Sequence, residues 1–178
     1  YRNASGETTN NTTAAQTLIT QRVDLIFAIA TPSAQAVAAE TNTLPIVFSA
    51  VTSAKDSSLS SDNIAGTTDL NDVKKQVDLM VELVPNAKKI AVLYSTDEPN
   101  STIQRDMVRD YAESKKLGFA ERGISTIDDV ANALNAFKRD GVDCVYIPTD
   151  NKLAAAADSV HAFNKDGANL PIVCGENE

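Results

Sequence analysis

At 178 residues the chain is long enough for one domain or two small lobes, and its 43% hydrophobic content is enough for a true core. Sixteen basic against 24 acidic residues give a net charge of −8, which argues against a nucleic-acid binder with its basic face. No apolar run approaches the roughly 20 residues that span a bilayer, so membrane-spanning helices are excluded as well.

No signal peptide is visible, but the chain opens at Tyr1 in what reads as the tail of a strand. A leader and a first βα unit are therefore expected to be missing. Residues 3–11 are polar and turn-like. Ala14, Ala15, Leu18 and Ile19 share one face, which predicts a helix over 12–21. Residues 23–28 form an apolar strand interrupted only by Asp24. Thr31 ends it, and Pro32 suits the first turn of a helix over 33–40. A loop at 42–44 leads to a buried strand at 45–49. Residues 50–68 are rich in Ser, Thr and Asp without apolar period, and read as a long functional loop or linker.

Asp69 or Asn71 is placed to cap the next helix, on which Val73, Val77, Met80, Val81 and Val84 make one apolar stripe until Pro85 stops it. A strand follows at 90–94. Asn100 or Ser101 then caps a helix carrying Ile103, Met107, Tyr111 and Leu117. Residues 118–123 alternate as an edge strand. Thr126 with Asp129 resembles a capping box, opening a helix with Ile127, Val130, Leu134 and Phe137. Asp140-Gly141 turns into a strand at 144–147. Leu153, Ala157, Val160 and Phe163 line a helix over 153–165, and a last strand spans 171–174.

Strands alternating with helices predict an α/β fold with parallel sheets and right-handed crossovers. The run divides at the 50–68 loop into a first lobe, residues 1–68, incomplete at both ends, and a second lobe, residues 69–178. Cys144 and Cys174 read as buried free thiols; a disulfide stays open if their strands are neighbours, and their spacing fits no zinc motif.

Four strand ends share one punctuation: Ala30-Thr31-Pro32-Ser33, Phe48-Ser49-Ala50-Val51-Thr52, Tyr94-Ser95-Thr96-Asp97-Glu98-Pro99-Asn100-Ser101, and Ile147-Pro148-Thr149-Asp150-Asn151. Each delivers hydroxyl, carboxylate or amide groups to a helix N-terminus at the carboxyl end of a strand, where open α/β sheets bind ligands. Catalytic signals are missing. His161 stands without a metal-spaced partner, and there is no G-x-S-x-G, G-x-G-x-x-G or Walker sequence. A non-enzymatic role without metal or cofactor is expected.

The chain resembles the substrate-binding proteins of ABC importers, in the type I periplasmic-binding-protein subgroup that includes tryptophan- and tyrosine-importer binding proteins. The resemblance is carried by residues 23–35, 45–52, Asp72-Val73-Lys74-Lys75-Gln76, residues 85–94 and Tyr146-Ile147-Pro148-Thr149-Asp150-Asn151, in the family's order and spacing. It departs after Thr52, where Ser53-Ala54-Lys55-Asp56 replaces the family's usual Asp-Pro pair and Gly-containing turn. The resemblance implies an extracytoplasmic protein, often lipid-anchored. Such a protein has two Rossmann-like lobes joined by crossing strands, the first near residues 66–70. It captures a solute in the inter-lobe cleft and presents it to permease subunits. The subgroup implies an amino acid, with tryptophan, tyrosine and phenylalanine favoured.

An amino-acid zwitterion needs donors for its carboxylate and an acceptor for its ammonium. Thr31, Ser33, Ser49 and Thr52 are placed as donors in the first lobe, or are simply N-caps and turn formers. Asp150 is the leading ammonium partner and Asn151 adds an amide. Asp150 also suits an N-cap, and a capping carboxylate can keep a lone pair free. Asn100 and Ser101 face the same cleft on this reading, or cap their helix. Glu176 occupies the equivalent place after the last strand, or is a solvated tail residue. Phe48 and Tyr94 are candidates for an aromatic wall, with core packing as their other role. Two rivals to transport are a ligand-sensing domain of the same fold and a flavodoxin-like enzyme, which would need a phosphate loop that the chain lacks.

Overall fold

A computed structural model describes residues 1–176. The chain divides into two compact units: residues 1–71 with Glu98–Asn100, and Asp72–Asp97 with the residues from Ser101 onward.

The first unit contains α1 (Thr8–Thr20), β1 (Ile26–Ile29), α2 (Thr31–Glu40), β2 (Ile46–Val51) and β3 (Ile64–Thr68). Its sheet runs β1-β2-β3, all parallel, with Ile26 beside Ile46 and Ile46 beside Ile64. Ile26, Ala28, Ile46 and Phe48 pack against Ala15 of α1 and Ala34 and Val37 of α2, so these helices cover one face. Two elements differ from expectation. α1 begins four residues early, where polar residues find local partners: the Asn10 amide donates to the Ala4 carbonyl at 3.2 Å and the Thr13 hydroxyl to the Thr9 carbonyl at 3.5 Å. β3 lies inside the predicted loop. Its Ile-Ala-Gly-Thr-Thr sequence is mostly exposed, and backbone pairing to β2 holds it rather than apolar burial. Gly66 is required there, since a Cβ would collide with the Phe48 carbonyl and ring.

The second unit contains α3 (Val73–Leu83), β4 (Lys89–Ser95), α4 (Pro99–Ser114), β5 (Gly118–Ile124), α5 (Asp129–Arg139), β6 (Cys144–Ile147), α6 (Asn151–Ala155), α7 (Ala157–Phe163), a π-helical turn (Asn164–Ala168) and β7 (Ile172–Cys174). Its parallel sheet runs β5-β4-β6-β7, with β5 at the edge as its alternation predicts. β4 and β6 are buried on both faces, which is why they read as continuous apolar runs. Ile90, Val92, Cys144 and Tyr146 meet Val73, Val77 and Met80 of α3 and Val108 of α4. On the other face Ala91, Leu93, Val145 and Ile147 meet Val130, Leu134 and Phe137 of α5 and Leu153 of α6.

Three expectations are corrected. The helix over 153–165 is broken at Ala156, whose φ of −96° and ψ of 10° leave the helical range. α4 starts at Pro99, so Asn100 and Ser101 lie in its first turn and are not its caps. Both cysteines are free, but only Cys144 is buried, while Cys174 is exposed. Their strands are neighbours, yet Cys174 pairs with Ile147, three rungs from Cys144. That offset is about 10 Å along the strand, too far for a disulfide. Burial pushes the Cys144 thiol up to about 11.

Candidate functional site

In the first unit, an alanine at positive φ follows β1 and another is the next-to-last residue of β2: Ala30 at 75° and Ala50 at 53°. Such conformations are strained for residues with a Cβ, and strain of this kind collects at ligand-binding turns. The Ala30 N–H donates to the Ser49 carbonyl at 3.0 Å, so the two strand ends stay side by side. Thr31 is buried, and its hydroxyl oxygen accepts from the Thr52 N–H at 3.4 Å. Thr31, Ser49 and Thr52 are thereby brought together. Ser33 is not among them, because its hydroxyl donates to the Asn11 Oδ1 at 2.8 Å and ties α2 to α1. No side chain caps α2, so its first turn keeps its positive end open. Glu98 and Asn100, which group with this unit, are both buried, and the Asn100 amide donates to the Glu98 carboxylate at 3.3 Å.

In the second unit the strand ends are bound to one another. Asp150 is buried, 55 residues along the chain from Ser95. Its Oδ2 accepts from the Ser95 N–H and the Ser101 hydroxyl, both at 2.7 Å. Its Oδ1 accepts from the Ser95 hydroxyl at 2.8 Å and from the Leu153 N–H at 2.9 Å. Four donors occupy the roughly four lone-pair sites of a carboxylate. The N-cap reading of Asp150 therefore holds, and the spare lone pair expected for an ammonium is taken up by Ser95 and Ser101. Ser101, in the first turn of α4, donates its hydroxyl to Asp150. Glu176 is drawn into the same place, its Oε1 accepting from the Asp150 N–H at 3.1 Å. Asn151 opens α6 and is exposed.

Several members of this cluster went unseen in the sequence. The Tyr146 phenol, buried in β6, donates to Gln76 Oε1 at 2.6 Å and lies 3.3 Å from Gln104 Oε1. Burial pushes its ionisation up, reinforced by Cys174 and Glu176. Gln104 Oε1 also accepts from the Thr149 N–H at 3.3 Å. Lys152, on α6, is buried with its ammonium on Asp97 at 2.8 Å and on the Ser125 carbonyl at 2.8 Å. A glutamine on an otherwise apolar helix stripe is a signal that could have found Gln76 and Gln104, beside Val77 and Val108 respectively. The aromatic-wall candidates pack instead. Phe48 is in the core of the first unit, and Tyr94 lies under the Arg105 guanidinium, 4.8 Å from the ring centre. His161 is exposed on α7. Among the described residues no three His, Cys, Asp or Glu side chains gather as a metal site, and no helix is long and apolar enough to cross a membrane.

Comparison with known proteins adds a family match, a named relative and two solved structures. A family model described as ABC transporter substrate binding protein matches residues 1–178. A protein of Clostridioides difficile named tyrosine-binding protein is 34% identical over 182 residues, covering 99% of this chain and 52% of its own length. Among solved structures, the L-Trp complex of an ABC domain from Streptococcus pneumonia has a TM-score of 0.88 at 30% identity, over 95% of this chain and 60% of that one. A conserved domain protein from Vibrio cholerae has a TM-score of 0.92 at 28% identity, over 99% of this chain and 61% of that one. The chain thus spans about half the length of the curated relative and about three fifths of these structures.

Proposed function

The chain belongs to the ABC transporter substrate-binding protein family, with the type I periplasmic binding protein fold, and from that premise we propose that it captures an aromatic amino acid outside the cytoplasm for an ABC permease. The named relatives, one for tyrosine and one holding L-Trp, support the aromatic class. The carrying observation within this chain is that the carboxyl ends of the parallel strands bear its concentrated hydroxyl, amide and carboxylate chemistry.

The roles divide by unit. In the first, Thr31, Ser49, Thr52 and the uncapped start of α2 offer donors to the solute carboxylate. In the second, Asp150 holds Ser95, Ser101 and the start of α6 in place, with Asn151 beside it. The ammonium then falls to Glu98 or Glu176, which follow β4 and β7, because Asp150 accepts from four donors and Asp97 is paired with Lys152. Permease subunits and a lipid anchor belong to the same reading.

The test is thermal unfolding of the full-length protein against a panel of the twenty amino acids. A ligand at roughly a hundred times its Kd stabilises by about 2.7 kcal/mol, a shift of several degrees. Tyrosine, tryptophan or phenylalanine should give it. A flat response to all twenty overturns the proposal.

A further inference from the structure

The turn after β7 is held from outside its own strand. β7 is three residues long and lies at the sheet edge, so its end has little ladder of its own. The Gly175 N–H donates to the Ile147 carbonyl at 2.7 Å. The Gly175 carbonyl accepts from Gln76 Nε2, on α3, at 3.1 Å. The other end of the Gln76 amide accepts the Tyr146 phenol proton at 2.6 Å.

This amide has one allowed orientation. A carbonyl only accepts, whereas a phenol donates or accepts, so the NH₂ group must face Gly175 and the oxygen must face Tyr146. The turn is also packed tightly onto the phenol: a Cβ on Gly175 would lie 2.9 Å from the Tyr146 oxygen and 3.1 Å from the Thr149 nitrogen. Glu176, the next residue, accepts from the Asp150 N–H. Gln76 therefore connects a helix to the turn that carries Glu176 against the end of β6.

We propose that Gln76 is a positioning residue: with its amide oxygen braced by Tyr146, it fixes the Gly175–Glu176 turn and so sets how long a bound amino acid stays. This rests on the reading that the solute sits at the carboxyl ends of these strands. Gln76→Leu removes both hydrogen bonds. Gln76→Glu still accepts from Tyr146 but cannot donate to Gly175. Tyr146→Phe keeps the bond to Gly175 and removes the phenol that braces the amide oxygen.

The experiment is stopped-flow release of L-tryptophan and of L-tyrosine from the full-length protein, paired with amide hydrogen exchange at Gly175 and Asp150. Gln76→Leu should release solute about tenfold faster, with association changed less than about twofold. Exchange at Gly175 should quicken by about tenfold while that at Ile90 and Val92 in the sheet centre stays put. Gln76→Glu should not rescue release, and Tyr146→Phe should fall between. A merely structural role would loosen Ile90 and Val92 together with Gly175, which overturns the inference. Unchanged release and unchanged Gly175 exchange in Gln76→Leu overturn it too. If the wild-type protein binds neither amino acid, the solute reading fails and the residence-time role with it, and the exchange data still separate that outcome from a failure of Gln76 to hold the turn.

Discussion

The two units use their strand ends differently. In the second, Asp150, Ser95, Ser101, Tyr146, Gln76 and Gln104 are joined into hydrogen-bonded clusters whose polar atoms are mostly taken up by one another. In the first, Thr31, Ser49 and Thr52 sit beside backbone bent to positive φ at Ala30 and Ala50, with the Thr52 N–H on the Thr31 hydroxyl at 3.4 Å and no side-chain cap on the helix. One set of strand ends is rigid because it is internally satisfied; the other keeps donors in hand at the expense of backbone strain. Under the proposed function, the open donors are the groups left to meet the solute.

The largest expected break in this contrast is Asp150→Ala. It strands the Ser95 N–H and hydroxyl, the Ser101 hydroxyl and the Leu153 N–H at once. Denaturant unfolding should show a loss of about 3–5 kcal/mol, less than the sum of four separate bonds because the donors partly find water. Gly175→Ala comes next. Its Cβ would meet Tyr146 and Thr149 at 2.9 and 3.1 Å, so the turn must shift, with a loss of about 1–3 kcal/mol by the same measurement.

In the first unit the sign should reverse. Ala30→Gly relieves a residue at φ 75° and ψ 154°, a region that only glycine occupies without strain. Relief of strain outweighs the added freedom of the unfolded chain, and unfolding should show a gain of about 1 kcal/mol. A loss would mean that the strand end is not strained as described.

The smallest effect concerns pH. The Asp143 carboxyl is held below its usual range by the N–H groups of Lys88 and Lys89, and Asp129 by the Thr126 hydroxyl and the N–H groups of Thr126 and Ser125. A depressed carboxylate stabilises the fold above its unfolded pKa, near 3.9, and that stability is lost as pH falls through the lower folded value. Unfolding titrations should therefore be flat from pH 5 to 7 on account of these groups and fall below about pH 4. Asp143→Asn should make the fall shallower.

Much of the fold was legible because its signals are local. The stripe of Val73, Val77 and Met80 fixes α3, and the apolar run at Cys144–Ile147 fixes β6. The capping-box reading of Asp129 is seen in its carboxylate, which accepts from the Thr126 N–H at 3.1 Å. β3 was not legible, since Ile64–Thr68 has no apolar alternation and owes its place to pairing with β2. Of the candidate site, the strand ends were legible and the partners of their side chains were not. Punctuation put Asp150 and Thr31 at strand ends, but which donors converge on Asp150 depends on bringing Ser95 beside it across 55 residues. The Tyr146–Gln76 bond spans 70 residues, and nothing in either neighbourhood alone announces it.

The most direct test of the central claim is a backbone-amide NMR titration of the full-length protein with L-tyrosine. Solute binding at the strand carboxyl ends should move the signals of Ala30, Thr31, Thr52, Ser95, Asn151 and Gly175, and leave those of Lys88, Gly118 and Asp143, at the opposite ends of the strands, where they were. Shifts confined to that opposite end, or none at saturating L-tyrosine and L-tryptophan, would contradict it.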